Sequence, residues 1–257
     1  MGMSEVEATV RRTKILFVVL LVSLLTMGFA YYKSRLPPAG SQNPALAIDP
    51  VQTPTSVTSF EVMHENHRYA VDPVFDYEIH GLIVSDHNAS GFFDISHADW
   101  NDFLNTKDIC LVWGKNASGN RLDQMKFSSG DWTCSVWTNS TEVWQAFEMN
   151  QLSNNHVLPA TAAIREAIQN ITIGDEVRIK GQLVNYSVNG GPKRKTSTVR
   201  EDTGNGACEV LYVTEVETLH RHNEKWLHLL WLTQILTIGS ILGIFAFNVR
   251  LVSRRLG

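Results

Sequence analysis

Two apolar stretches limit what this chain can become. Ile15–Tyr32 is an eighteen-residue run without a charge, and Trp226–Val249 is longer, opening with Trp226 and Trp231 and stopping at Arg250. The hydrocarbon core of a bilayer is crossed by about 20 apolar residues of helix, so both runs are long enough to span it. Tyr31 and Tyr32 end the first run, and Trp226 begins the second. Such rings settle at the headgroup level. The first run also fits the apolar core of a secretory signal, with Arg11-Arg12 ahead of it and Gly28-Phe29-Ala30 as a cleavage site; its length favours an anchor.

The flanking charges orient the two spans. Arg11, Arg12, Lys14, Arg250, Arg254 and Arg255 lie on the terminal sides, against Lys33, Arg35, Arg221 and Lys225 on the inner sides. The positive-inside rule then assigns tails 1–14 and 250–257 to the cytoplasm and the central region to the other side, the periplasm in a bacterium. All three cysteines lie in that central region, which suits a compartment where one disulfide persists. Residues 36–222 carry 13 Lys and Arg against 23 Asp and Glu, a net of −10. A surface of that sign repels a phosphate backbone, which sets nucleic acid aside as a partner.

Between the spans, 33–59 reads as a linker: Pro37, Pro38, Pro44, Pro50 and Pro54 stand among Ser, Thr, Gln and Asn with no apolar period. The globular part is expected over 60–222. Phe60–Ala70 suits a short hairpin or an edge strand. Tyr77–Ser85 and Asp108–Trp113 read as strands, with a short helix over Ser96–Leu104 between them. Trp132–Thr138 reads as a third strand. The pattern then predicts a helix from Ser140 or Thr141 to Leu152, a break at Ser153-Asn-Asn-His156, and a second helix from Pro159 to Asn170. Ile173–Tyr186 opens on a Gly-Asp turn and alternates Val177, Ile179 and Leu183 against Arg178, Lys180 and Gln182. Gly181 marks a bend or bulge in it. Asn189–Pro192 is a turn with Arg194–Val199 as its return arm, and Cys208–Leu219 is the last strand.

Strand, strand, strand, helix, strand, strand is an order that resembles the OB-fold, a small Greek-key barrel with a helix between its third and fourth strands. The resemblance covers roughly Tyr77–Leu219 and rests on Gly81 inside the first strand, Gly181 in the fourth, and the terminal Tyr212-Val-Thr-Glu-Val-Glu strand. It implies an α+β, mainly β domain: an OB-like barrel with a helical insert, flanked by two transmembrane helices. In such barrels the loops after strands one and four flank the ligand face. It also makes Cys134 and Cys208 flank turns on neighbouring strands, so Cys134–Cys208 is the expected disulfide and Cys110 a buried thiol.

Four groups of residues are candidates for chemistry. Arg178, Lys180, Lys193, Arg194, Lys195 and Arg200 cluster on the fourth strand and its return arm, where they suit an anionic polymer, lipid headgroups or an acidic partner, or simply guard a sheet edge. His87, Asp94, His97 and Asp99 lie in a region with eight acidic residues and one lysine between Asp72 and Asp108. They could hold a divalent cation, the one cofactor in view, although no compact ligand motif is present. His156 beside two asparagines could act as a general base, yet the sequence marks no nucleophile or partner for it. The loop containing Gly204 and Gly206 lacks the spacing and lysine of a phosphate loop.

These residues predict a two-pass membrane protein whose extracytoplasmic domain is a binding or assembly module in an envelope complex. Its charged loop face, and the small-residue face of Gly239 and Gly243 in the second span, would meet other membrane proteins or a second copy. The alternative is a membrane-tethered hydrolase dependent on a metal or on a histidine. No stretch forces an enzymatic reading.

Overall fold

A computed structural model describes residues 3–34, 36–37, 43–91, 94–119, 121–202 and 207–256. The described elements run in chain order as α1 (Met3–Lys33), β1 (Val51–Pro54), β2 (Phe60–His64), β3 (His67–His87), α2 (Ile95–Asp99), β4 (Lys107–Val112), α3 (Gly114–Ser118), β5 (Lys126–Gly130), β6 (Thr133–Trp137), α4 (Thr141–Ala146), β7 (Leu152–Pro159), α5 (Ala162–Gln169), β8 (Asp175–Val188), β9 (Lys193–Arg194), β10 (Glu209–Arg221) and α6 (Glu224–Leu256). The fold is mixed and mostly sheet, with a long apolar helix at each end. Two compact units result: residues 36–222, and the helices with their flanks.

The helical unit pairs α1 with α6. Val6–Lys33 and Glu224–Arg250 are each long and apolar enough to cross a membrane. Ser23 Oγ meets Thr237 Oγ1 at 2.8 Å, and the Phe29 and Trp226 rings meet edge to face at 5.6 Å. A Cβ built on Gly243 would stand 2.8 Å from Leu16 Cδ1, whereas Gly239 has open space. Of the two glycines, Gly243 is therefore the one spent on the contact between these helices, where small residues let backbones approach.

The other unit is organised on β3, twenty-one residues long. A two-residue turn at Glu65 and Asn66, both at positive φ (47° and 64°), joins it to β2 as a hairpin. Further along, β3 pairs antiparallel with β8 on one side and β4 on the other. β4 pairs antiparallel with β7, β7 runs parallel to β10, and β10 pairs antiparallel with β8. Each of these five strands thus has two neighbours among the five. Their inward side chains, including Tyr77, Ile79, Ile109, Leu111, Val157, Val177, Ile179 and Leu211, form the main core. Helix α5 closes it with Ile168, after Thr161 Oγ1 caps the helix by accepting from the Ile164 N–H at 3.2 Å.

Gly181 answers a close approach. An added Cβ would lie 2.0 Å from the Tyr212 carbonyl oxygen, and the bulge sits on the partner strand, between Val213 and Glu215 of β10. The glycine accommodates a neighbour's distortion rather than its own.

Four expectations are corrected. Residues 51–54, placed in the linker, form β1 on the side of β3, and Leu46 ahead of it is buried, so the unit begins near residue 36. The helix expected to reach Leu152 ends at Ala146, and Leu152–Pro159 is a fully hydrogen-bonded strand. His156 therefore lies on a strand, not in a loop. Thr133–Trp137 pairs only with β5, as a separate two-stranded hairpin; the third strand of the main sheet is β7.

The fourth correction is the disulfide. It joins Cys110 of β4 to Cys134 of β6, with Cα atoms 5.8 Å apart, and Cys208 is free. The β5–β6 hairpin packs beside β3 and β4, where Ser129 Oγ meets Ser85 Oγ at 2.8 Å, and this carries Cys134 onto Cys110. The Gly204–Gly206 loop and linker residues 38–42 lie outside the described residues.

Candidate functional site

Strand β7 carries four consecutive polar residues, Ser153-Asn-Asn-His156, all buried. A buried polar group is tolerated where it is hydrogen-bonded. Ser153 and Asn155 share one face of the strand: Ser153 Oγ donates to Glu209 Oε2 at 2.6 Å and Asn155 Nδ2 donates to Ser153 Oγ at 2.9 Å. Asn154 and His156 share the other face. Register sets Asp108 of β4 opposite His156 and Cys110 opposite Asn154. On the parallel side, Glu209 lies opposite Asn155, which brings Cys208, one residue earlier, beside Asn154.

A chain of hydrogen bonds grows from this row. His156 Nδ1 meets Asp108 Oδ1 at 2.7 Å, and the same oxygen accepts from Asn105 Nδ2 at 2.8 Å. Asn105 Nδ2 also reaches His97 Nε2 at 3.1 Å. His97 Nδ1 meets Asp94 Oδ2 at 2.7 Å, and His87 Nε2 approaches that same oxygen at 2.7 Å. Asn154 Nδ2 points at Cys208 Sγ from 3.4 Å.

Three of the four residues considered as metal ligands meet here: a ring nitrogen of His87 and of His97 and an oxygen of Asp94 lie within 4.8 Å of one another. Asp99 stays exposed and outside the group. The hydrogen bonds fix the protons. Because Asn105 turns its NH2 to Asp108, it also presents a donor to His97 Nε2, which must accept; the His97 proton then sits on Nδ1 and is given to Asp94. A cation at this point would have to displace that proton. Asp94 also caps α2, its Oδ1 accepting from the His97 N–H at 2.9 Å.

Charge follows the same chain. Burial opposes the charged form of His156, but Asp108, which accepts its hydrogen bond, and the nearby Cys208 outweigh that and push the imidazole up to about 9. Burial likewise works against ionised Asp108, and its bonds to His156 and Asn105 hold it below the ordinary carboxylate value.

Trp132 is the pivot of the region. It turns the β5–β6 hairpin at φ 57°, a conformation costly for a bulky residue and often kept at functional sites. Its N–H donates to Asp108 Oδ2 at 2.9 Å, and its carbonyl accepts from Asn154 Nδ2 at 3.1 Å. Its ring lies 4.6 Å from that of His97 and 4.5 Å from the Arg194 guanidinium.

Arg194 opens onto a groove of ≈ 290 Å³ between the β3–β4 connection and the β8–β9 turn, lined by Trp100, Asp102, Tyr186, Lys193 and Arg194. Trp100 is exposed, and Asp102 is buried. Asp102 Oδ2 accepts from Tyr186 OH at 2.6 Å and lies 3.4 Å from Arg194 Nη1. Its Oδ1 is buried with no hydrogen-bond partner among the described residues.

The basic residues do not share one face. Arg178 grips Glu78 in two bonds of 2.8 and 3.1 Å and also reaches Glu215, beside Lys180. Lys193 pairs with Asp72. Arg200 bonds buried Glu209 at 2.7 Å and lies over the Tyr77 ring. Lys195 is exposed. The domain's own carboxylates answer most of this charge, and of the two basic residues that line the groove, Lys193 pairs with Asp72 while Arg194 lies over the Trp132 and Tyr186 rings. Sequence reasoning missed Asp102, Asn105, Asp108 and Trp132, and took Asn154 only as a neighbour of His156. The only signal was four polar residues inside a stretch that had to be ordered.

Comparison with protein-family models, with curated proteins and with solved structures finds no match for this chain.

Proposed function

We propose that this chain is a two-pass membrane protein that displays an OB-type barrel outside the cytoplasm and works as a binding module in an envelope assembly. The barrel reading is supported by the five strands that each pair with two others, by the parallel β7–β10 contact, and by α5 between β7 and β8. The disulfide and the flanking lysines and arginines support the orientation.

The observation that carries the binding reading is the groove, where Arg194 and the exposed Trp100 flank a buried Asp102 carboxylate whose Oδ1 has no partner among the described residues. A buried carboxylate oxygen without a donor is costly, and a ligand group bearing N–H or O–H would relieve it while stacking on Trp100. OB-type barrels take ligands between the loops after strands one and four, which here are the groove's two walls. The ligand this fits is a partner segment with a hydrogen-bond donor next to a flat or apolar group.

Crosslinking capture of membrane partners by the full-length chain tests it. Trp100→Ala and Arg194→Ala are expected to cut capture by about tenfold, the scale of one well-placed contact, while Lys180→Ala leaves it unchanged. Equal capture by all three would remove the groove from consideration. Reporter fusions at residue 60 and at the C-terminus test the orientation. The metal-dependent alternative rests on His87, Asp94 and His97: one bound metal per chain, lost in His97→Ala, would replace the hydrogen-bonded account of that cluster.

A further inference from the structure

The pairing of α1 with α6 leaves one side of α6 uncovered, and that side is not wholly apolar. Thr233 and Ser240 are buried, and Thr237 meets Ser23 of α1. Gln234 is exposed instead, and its side chain has no hydrogen bond among the described residues. Thr26 and Asn248, also exposed, are satisfied by carbonyls of their own helices, Val22 at 2.9 Å and Ile244 at 2.8 Å. Gln234 follows Trp226, the first residue of the span, by eight positions. At about 1.5 Å per residue that places its amide about 12 Å along the axis, well inside a hydrocarbon layer about 30 Å thick. No water reaches an amide there, so an unpaired one carries its full desolvation cost.

Gln234 also falls in a register. Trp231, Gln234, Ile238, Ile241, Phe245 and Asn248 succeed one another at alternating steps of three and four residues, and all six are exposed. This is the heptad spacing that keeps one stripe of a helix against a neighbouring helix. Gly239 and Gly243 lie off the stripe, and Gly243 is taken up by Leu16.

We infer that this stripe pairs α6 with α6 of a second copy of the chain, the two Gln234 amides exchanging hydrogen bonds across a two-fold axis. A carboxamide holds both a donor and an acceptor, so it is its own complement. A second copy inserted in the same orientation presents it at the same depth, and each Nε2–H donates to the other's Oε1, as an isologous contact requires. Polar side chains joined in this way hold spanning helices together where apolar surface has no advantage over lipid. Asn248 stands two heptads beyond Gln234, so one register brings both residues to the axis.

The inference rests on α6 spanning the bilayer and not on the groove, so Trp100→Ala should leave it intact. In a Cys208→Ser background, the full-length chain in native membranes is given one added cysteine and oxidised with copper phenanthroline. Ile238→Cys and Ile241→Cys, on the stripe, should each yield a linked species of twice the chain mass. Leu232→Cys, exposed but off the stripe, should not. Gln234→Leu should weaken association of the purified chain in detergent about tenfold by sedimentation equilibrium, and Gln234→Asn, which keeps the amide, should restore most of it. Leucine suits a spanning helix, so that loss would not come from misfolding. Equal linkage from all three cysteines, a stripe cysteine linked to a different protein, or a Gln234→Leu chain that associates like the wild type would each overturn the inference. Release of the chain from membranes by alkaline carbonate would overturn the span reading and the inference together, whereas a groove that captures no partner leaves the pairing of α6 untouched.

Discussion

The buried Asp108–His156 pair makes a stability prediction with a definite sign. His156 is pushed from 6.5 to about 9 in the folded protein, which corresponds to about 3 kcal/mol at 1.36 kcal/mol per tenfold change. Because the folded value lies above the unfolded one, this stabilisation is fully present below about pH 6.5. It is lost as pH rises through about 9. Asp108→Asn keeps the shape and removes the charge that holds the imidazolium. Thermal unfolding of the full-length protein in detergent, followed by tryptophan fluorescence at pH 6 to 10, should show the wild type well above the variant at pH 6. The gap should shrink by about 6–12 °C towards pH 10, using about 2–4 °C per kcal/mol for a domain of this size. The difference between the two proteins cancels other groups that titrate in the range. Parallel curves would show that His156 is neutral in the folded protein and would refute the account of the pair.

Replacing Cys110 and Cys134 together by alanine removes a link across 24 residues of sequence and should cost about 3 kcal/mol, read as a lower urea midpoint. Cys208→Ala should leave that midpoint almost unchanged. Gly181→Ala drives a Cβ against the Tyr212 carbonyl and should cost about 3 kcal/mol or more, seen as rapid proteolysis of the folded domain; an unaltered digestion pattern would contradict the close approach. In a Cys208→Ser background, Leu16→Cys with Gly243→Cys should oxidise to a link within one chain. A link between two chains would instead assign the Gly243 face to self-association.

Much of the architecture was legible because it depends on local pattern. The apolar runs, the Asn189–Pro192 turn and the alternation in β8 and β10 each reflect a period that a helix, turn or strand imposes on its own residues. Strand β7 was not legible. Its four polar residues read as a break because a buried strand is ordinarily apolar, and their hydrogen-bond partners on β4 and β10 come from 46 to 56 residues away in sequence. The basic cluster failed for the converse reason: Arg178, Lys193 and Arg200 lie on one strand and its return arm in the sequence, but each turns to a different carboxylate. The disulfide followed the error in β7, since taking β6 for the third main strand moved Cys134 beside the wrong partner.

By itself, then, the sequence determined the two membrane-length helices, the acidic domain between them and the order of most strands. These follow from composition and short-range periodicity. Only the tertiary structure decided that Asp108 meets His156, that Cys208 comes beside Asn154, that Cys110 takes Cys134, and that a groove opens beside the buried Asp102. Such facts depend on which strands lie side by side and in which register, and a one-residue slip in β7 would turn His156 to the opposite face of the sheet.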